Sequence, residues 1–79
     1  MTTIRFFAAA RAAVGVDSMT TTADTIDQAV REVVPADPER WTALQERCSY
    51  LVDGVTTRDR ATALHGVEVV DVMPPFAGG

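Results

Sequence analysis

Val67-Glu68-Val69-Val70-Asp71-Val72-Met73-Pro74-Pro75 reads as a strand closed off by two prolines. Val70 and Val72 point to one face, Asp71 and Met73 to the other, the two-residue period of a β-strand. The start of the chain has the same pattern. Thr3 to Ala8 reads as a strand with Ile4, Phe6 and Ala8 on one face and Arg5 and Phe7 on the other. Between these two lies the strongest helical signal. Thr25 and Gln28 have the spacing of a capping box, in which the hydroxyl takes a first-turn N–H and the amide reaches back to the cap. Ile26, Ala29, Val30 and Val33 then recur at three and four residues and make one apolar stripe, which Pro35 ends.

The remaining elements fill in around these three. Ala8 to Val14 is alanine-rich and suits a short helical turn before Gly15. Asp17 to Thr22 is threonine-rich and polar, as expected of an edge strand. Asp37-Pro38-Glu39 is a second helix start: a capping side chain, proline at the first helical position, then an acid favoured by the dipole. Trp41, Leu44 and Cys48 share a face of that shorter helix, Pro38 to Arg47. Ser49 to Val52 reads as a strand, Asp53-Gly54 as a tight turn, and Val55 to Thr57 as a short returning strand. Ala61 to Leu64 is open between a helical turn and loop. One helix packed across a mixed sheet in this order gives an α+β class with a β-grasp (ubiquitin-like) arrangement. The first and last strands are then parallel neighbours in the middle of the sheet, and a short extra helix is added.

Composition narrows the function classes. Seventy-nine residues make one small domain, which buries about 60% of its unfolded surface. Apolar content of 47% is too high for a disordered chain. The single cysteine, Cys48, excludes an intrachain disulfide and fits a reducing cytoplasm. The chain has neither a membrane-length apolar run nor an export signal. The net charge of −4, without a basic cluster, argues against nucleic acid as a partner. All seven basic residues are arginines, so no lysine side chain is offered for an isopeptide bond.

The six residues Pro74-Pro75-Phe76-Ala77-Gly78-Gly79 carry the functional expectation. Each proline fixes φ and pushes the residue before it toward an extended conformation, so the pair launches a tail (74–79), expected to be flexible, away from the domain (1–79). Gly78 and Gly79 have no Cβ and pass a channel too narrow for other residues. Four residues beyond the prolines reach about 13–14 Å when extended. That length seats the carboxylate of Gly79 inside a partner while the body stays outside. The plain alternative is a frayed terminus.

A family resemblance covers essentially the whole chain. Ile4-Arg5-Phe6-Phe7-Ala8, Gly15-Val16-Asp17, Arg40-Trp41, Asp53-Gly54 and Val72-Met73-Pro74-Pro75-Phe76-Ala77-Gly78-Gly79 resemble the MoaD/ThiS sulfur carriers. Within that group the chain looks closest to the small subunit of molybdopterin synthase, because the thiamine-pathway carriers are usually shorter and lack the second helix. Leu64-His65-Gly66-Val67-Glu68-Val69-Val70 departs from the acidic turn usual before the last strand. The resemblance implies that Gly79 is adenylated by a ubiquitin-activating-type adenylyltransferase and that a sulfur donor protein then displaces the nucleotide. The resulting thiocarboxylate enters a large subunit, within a heterotetramer, and donates sulfur to cyclic pyranopterin monophosphate on the way to the molybdenum cofactor. ATP and Mg then belong to the activating partner, and this chain binds no cofactor or metal of its own. Carriage of sulfur for thiamine or cysteine synthesis, a ubiquitin-like modifier, and an inert interaction module are the alternatives.

Partner docking requires a surface as well as a tail. Phe7 and Met73 fall on the sheet face opposite Ile4, Phe6, Val70 and Val72, and Phe76 lies just beyond. Together they form a candidate interface of the aromatic and methionine type. For Phe7 the competing placement is beneath the Ala8–Val14 segment or the Trp41 helix. Arg5, Arg11 and Arg58 are candidates for rim ion pairs with a partner. Cys48 reads as a buried structural thiol, since no neighbouring His or basic pair lowers its pKa. His65, Asp53 and Asp59 read as turn residues and Trp41 as packing. No carboxylate pair stands out as an acid–base couple, and no phosphate-cradling loop or metal-ligand spacing is present.

Overall fold

The computed structural model describes residues 1–75. Five strands, β1 (Thr2–Phe6), β2 (Ser18–Thr21), β3 (Ser49–Val52), β4 (Val55–Thr57) and β5 (Val69–Met73), form one sheet in the order β2-β1-β5-β3-β4. β1 and β5 are parallel, with Ile4 opposite Val70 and Phe6 opposite Val72; the other neighbours are antiparallel. The strand that ends the domain therefore lies in the centre of the sheet, held on both sides. This is the α+β, β-grasp arrangement expected from the element order, with β2 on an edge.

The sheet alternation places Ile4, Phe6, Tyr50, Val70 and Val72 on a covered face, each at most 4% exposed. Three helices cover it: α1 (Ala8–Val14), α2 (Ile26–Arg31) and α3 (Pro38–Gln45). The stripe of Ile26, Ala29, Val30 and Val33 meets the sheet with a residual void of only about 10 Å³. A space that small is close packing, not a ligand site. Trp41 anchors α3 by meeting the Phe6 ring edge-on, centroids 5.8 Å apart at 86°.

Several boundaries differ from the sequence expectation. β1 stops at Phe6, and Ala8 has φ +50 and opens α1. Ala8 therefore leaves the core face it was assigned to and is exposed. The central helix is only six residues long, shorter than the eight of α3, so the expected ranking of main and extra helix is reversed in length. Its last turn tightens, with Glu32 and Val33 N–H donating to the carbonyls of Ala29 and Val30. Val33, Val34 and Pro35 explain the early stop, because β-branching and a following proline both disfavour the helical basin. Gln28 N–H donates to Thr25 Oγ1 as the capping box requires, but the Gln28 amide oxygen accepts from Asp24 N–H, one residue before the cap. The segment 61–64 is a turn with a single bridge from Ala63 to Thr25, not a helical turn. β5 begins at Val69 because Val67 N–H is taken by the Leu64 carbonyl, and because the Asp53 carboxylate accepts the N–H groups of Glu68 and Val69.

Candidate functional site at the root of the tail

The parallel pairing of β1 with β5 brings the C-terminal ends of both strands to one end of the sheet. Phe6 pairs with Val72, so Phe7 and Met73 are the next residues on each strand. Ser49, at the start of β3, pairs with Met73 from the other side. Pro74 then lies buried against the body, while Pro75 is exposed. The chain is thus held through Pro74 and free of the body at Pro75. Phe76, Ala77, Gly78 and Gly79 lie outside the described residues, so the expected roles of the tail tip and of Phe76 in docking fall there as well.

Phe7 resolves its two placements in favour of the surface. It is 38% exposed, while Met73 is half-buried beside it. α1 does not cover the Phe7 ring because the left-handed Ala8 ends the strand sharply and turns the helix toward the opposite side of the sheet, where Ala10, Ala13 and Val14 are buried. Phe7 keeps extended dihedrals (φ −124, ψ 151), so its side chain continues the outward alternation of β1. Beside it lies a hollow of about 280 Å³ flanked by Phe7, Ala8, Arg11 and Asp17.

The arginines are more committed than the sequence suggests. Arg5 is gripped by Asp71, with Nε donating to Oδ1 at 2.6 Å and Nη2 to Oδ2 at 2.9 Å. That hydrogen bond, and then the carboxylate charge, raise the Arg5 pKa further. Arg11 sits 3.4 Å from Asp17, with both side chains well exposed. Of the three rim candidates, only Arg58 has no ion-pair partner among the described residues. Asp71 was not singled out in the sequence. Its signal was there: an acid at an outward position of the last strand, opposite an outward arginine of the first, once the two strands are taken as parallel.

Residues 4–79 match the family model described as the ThiS family. The chain belongs to the ThiS family. No curated protein matches it. The match extends from Ile4, the third residue of β1, through the glycine pair, so it covers both the sheet that holds the tail and the tail itself. A ThiS-family sulfur carrier works with an enzyme partner, and the geometry above shows what this body has available for that. The root of the tail is central and fixed, with an exposed aromatic and a half-buried methionine beside it.

The other candidates stay structural. Cys48 is buried, and burial pushes its thiol up to about 11, with the charge of Arg60 pulling back by less. His65 is exposed in the turn before Gly66. Asp53 adopts φ +45, and its carboxylate secures the start of β5; Asp59 accepts the N–H of Ala61. Among the described residues no three His, Cys, Asp or Glu side chains gather as a metal site, and no helix is long and apolar enough to cross a membrane.

Proposed function

We infer that this ThiS-family carrier is the sulfur-donating small subunit of a molybdopterin synthase. The observation that carries the reading is the course of β5: a central strand, locked between β1 and β3, that runs into a buried Pro74 and an exposed Pro75. A strand placed there transmits any pull on the tail to the whole sheet. The body serves as a rigid handle and Gly79 as the working end.

The chemistry follows from the carboxylate. As an anion with delocalised charge it is a poor electrophile, so it must be activated. An adenylyltransferase joins the Gly79 carboxylate to the AMP portion of ATP and releases pyrophosphate. The outer sulfur of a persulfide on a donor protein then attacks the acyl carbon, the C–O bond to AMP breaks and AMP leaves. A thiol reductant cleaves the S–S bond of the resulting acyl disulfide, which returns the donor's thiol and leaves the thiocarboxylate. The terminal thiocarboxylate attacks cyclic pyranopterin monophosphate within the large subunit through its sulfur. Water then hydrolyses the acyl–sulfur bond, which leaves the sulfur on the pterin and returns the Gly79 carboxylate. The described residues contribute no acid or base to this sequence; they hold the root of the tail at Pro74, and the partner that encloses the terminus orients it, which lowers the entropic part of the barrier. The second helix supports the molybdopterin pathway, since α3 is a full, capped helix anchored in the core by Trp41.

Membership of the ThiS family is equally compatible with a second reading, a carrier for thiamine or cysteine synthesis. One experiment separates carrier from modifier and from inert module. The chain is incubated with ATP, a ubiquitin-activating-type adenylyltransferase and a sulfur donor, and its intact mass is measured. Replacement of one oxygen by one sulfur at Gly79 is the expected result. An unchanged mass, or higher-mass conjugates to target lysines, overturns the reading. The acceptor that discharges the loaded chain then names the pathway: cyclic pyranopterin monophosphate with a large subunit, or the thiazole-forming system.

A further inference from the structure

Asp71 is the only charged residue on the strand that carries the tail. Its side chain is 14% exposed, and both its oxygens are occupied by Arg5. The two residues are direct partners in the parallel ladder, so the backbone itself sets the guanidinium opposite the carboxylate. A guanidinium held at two points is fixed in plane as well as in place. Arg5 is also close to Phe7. Its Cζ lies 5.7 Å from the centre of the Phe7 ring, within the range for a cation over an aromatic face. Residues 5 and 7 share the outward side of the strand, and the extended dihedrals of Phe7 keep that parity past the last ladder pair. Phe7 therefore has an ordered neighbour on its own face. Without the Asp71 carboxylate, that neighbour is a long exposed side chain with many rotamers.

We propose that Asp71 and Arg5 form a positioning relay that holds the Phe7 ring as a preformed docking anchor beside the root of the tail. This rests on the carrier reading for its purpose, since an anchor there matters only if an enzyme partner grips the body while the tail enters it. The occupant is that same partner. The anchor and the tail root are adjacent residues of neighbouring strands, so one apolar patch around the channel mouth meets both. The gain is entropic: an aromatic already in its bound rotamer loses less on docking than one that samples several. Arg5 and Asp71 are positioning residues, and neither needs to touch the substrate.

The relay is tested first on the isolated chain. Asp71→Asn keeps the side-chain shape and removes the charge that Arg5 grips. Arg5→Lys keeps the charge and removes the planar fork. In both variants the Phe7 side chain should pass from one χ1 rotamer to an average, read from three-bond couplings by NMR, and the Arg5 Nε–H signal should lose its protection in Asp71→Asn. A Phe7 rotamer population equal to that of the wild type in both variants overturns the proposal. The docking role is tested with a purified adenylyltransferase whose ATP–pyrophosphate exchange depends on the wild-type chain. Asp71→Asn should raise KM for the carrier about two- to tenfold, the range for freezing one side chain on binding, with kcat unchanged. The same substitution made on a Phe7→Ala background should raise KM no further. Equal losses on both backgrounds would show that Asp71 and Phe7 act independently, which overturns the relay. If no adenylyltransferase turns over the wild-type chain, the carrier reading falls and the docking role with it, while the rotamer measurement still decides the relay.

Discussion

Cys48 shows how one buried side chain is separated from the chemistry around it. It stands between the end of α3 and the start of β3 with 3% of its surface exposed. Burial pushes the thiol from an ordinary 9.0 up to about 11. The thiolate is the reactive form, so the native thiol is unreactive at neutral pH, although the protein handles sulfur. A stability consequence follows, and its sign is fixed. Well below pH 9 both the folded and unfolded thiols hold their proton, and Cys48 contributes no pH dependence. Between about 9 and 11 the unfolded chain releases a proton that the folded chain keeps, so stability falls as pH rises. The slope for one proton is at most about 1.4 kcal/mol per pH unit, and it flattens once the folded thiol also ionises. Tyr50, raised first by burial and then by the neighbouring Cys48, acts in the same direction. Urea midpoints measured from pH 7 to 11 should therefore decline less steeply for Cys48→Ala than for the wild type. Parallel curves for the two proteins would show that Cys48 ionises in the folded state as freely as in the unfolded one.

At the scale of elements, the junction between α1 and α3 supports the sheet from one side. α1 ends at Gly15, which has φ +93 and donates its N–H to the Arg11 carbonyl at 2.8 Å. The carbonyls of Ala13 and Val14 then accept the N–H groups of Asp37 and Ala36, tying the last turn of α1 to the segment that opens α3. A Cβ on Gly15 would come within 3.1 Å of the Ala36 Cβ in a conformation that side chains disfavour. Gly15→Ala should cost about 1–2 kcal/mol from the left-handed backbone alone, with crowding added. A urea titration checks this, and a change of only a few tenths would mean that the junction relaxes. Much of this layer was legible beforehand. Asp37-Pro38 and Thr25 announced their helices through capping chemistry, Asp53-Gly54 announced the hairpin, and the alternation of Ile4, Phe6, Val70 and Val72 named the core face of the two central strands. The site was legible in part, with Phe7 and Met73 placed on the outward face. What escaped was set by tertiary geometry. Ala8 carries no local mark of a left-handed turn, since alanine there is a strained choice. The early end of α2 lies where an apolar stripe continues past the helix, so periodicity overstates its length. The Arg5–Asp71 pair joins residues 66 apart and becomes visible only when the parallel register is known.

The scale of the whole molecule decides how such a carrier is used. The body measures 33 × 25 × 18 Å. A tail of four residues beyond the prolines reaches about 13–14 Å at full extension. Nothing as broad as the sheet and its helices can follow that tail into a channel fitted to glycine. On the carrier reading, then, the body stops at the mouth of the partner, and Phe7, Met73 and the proline pair meet the rim. The depth of the working atom is set by the number of residues past Pro75, as on a ruler. This makes length a sharper test than any side chain. A chain extended by two residues past Gly79, produced where no protease trims it, should fold as the unextended chain does, with the same urea midpoint, because the central strand and the core are untouched. It should nevertheless fail to gain sulfur by intact mass and fail to restore cofactor synthesis in cells that lack the carrier. Removal of Gly78 and Gly79 should fail in the same way, since the shortened tail ends short of the reacting groups. If the extended chain restored cofactor synthesis at the wild-type level, the reacting group would have to lie within the folded body, and the assignment of Gly79 as its site would be lost.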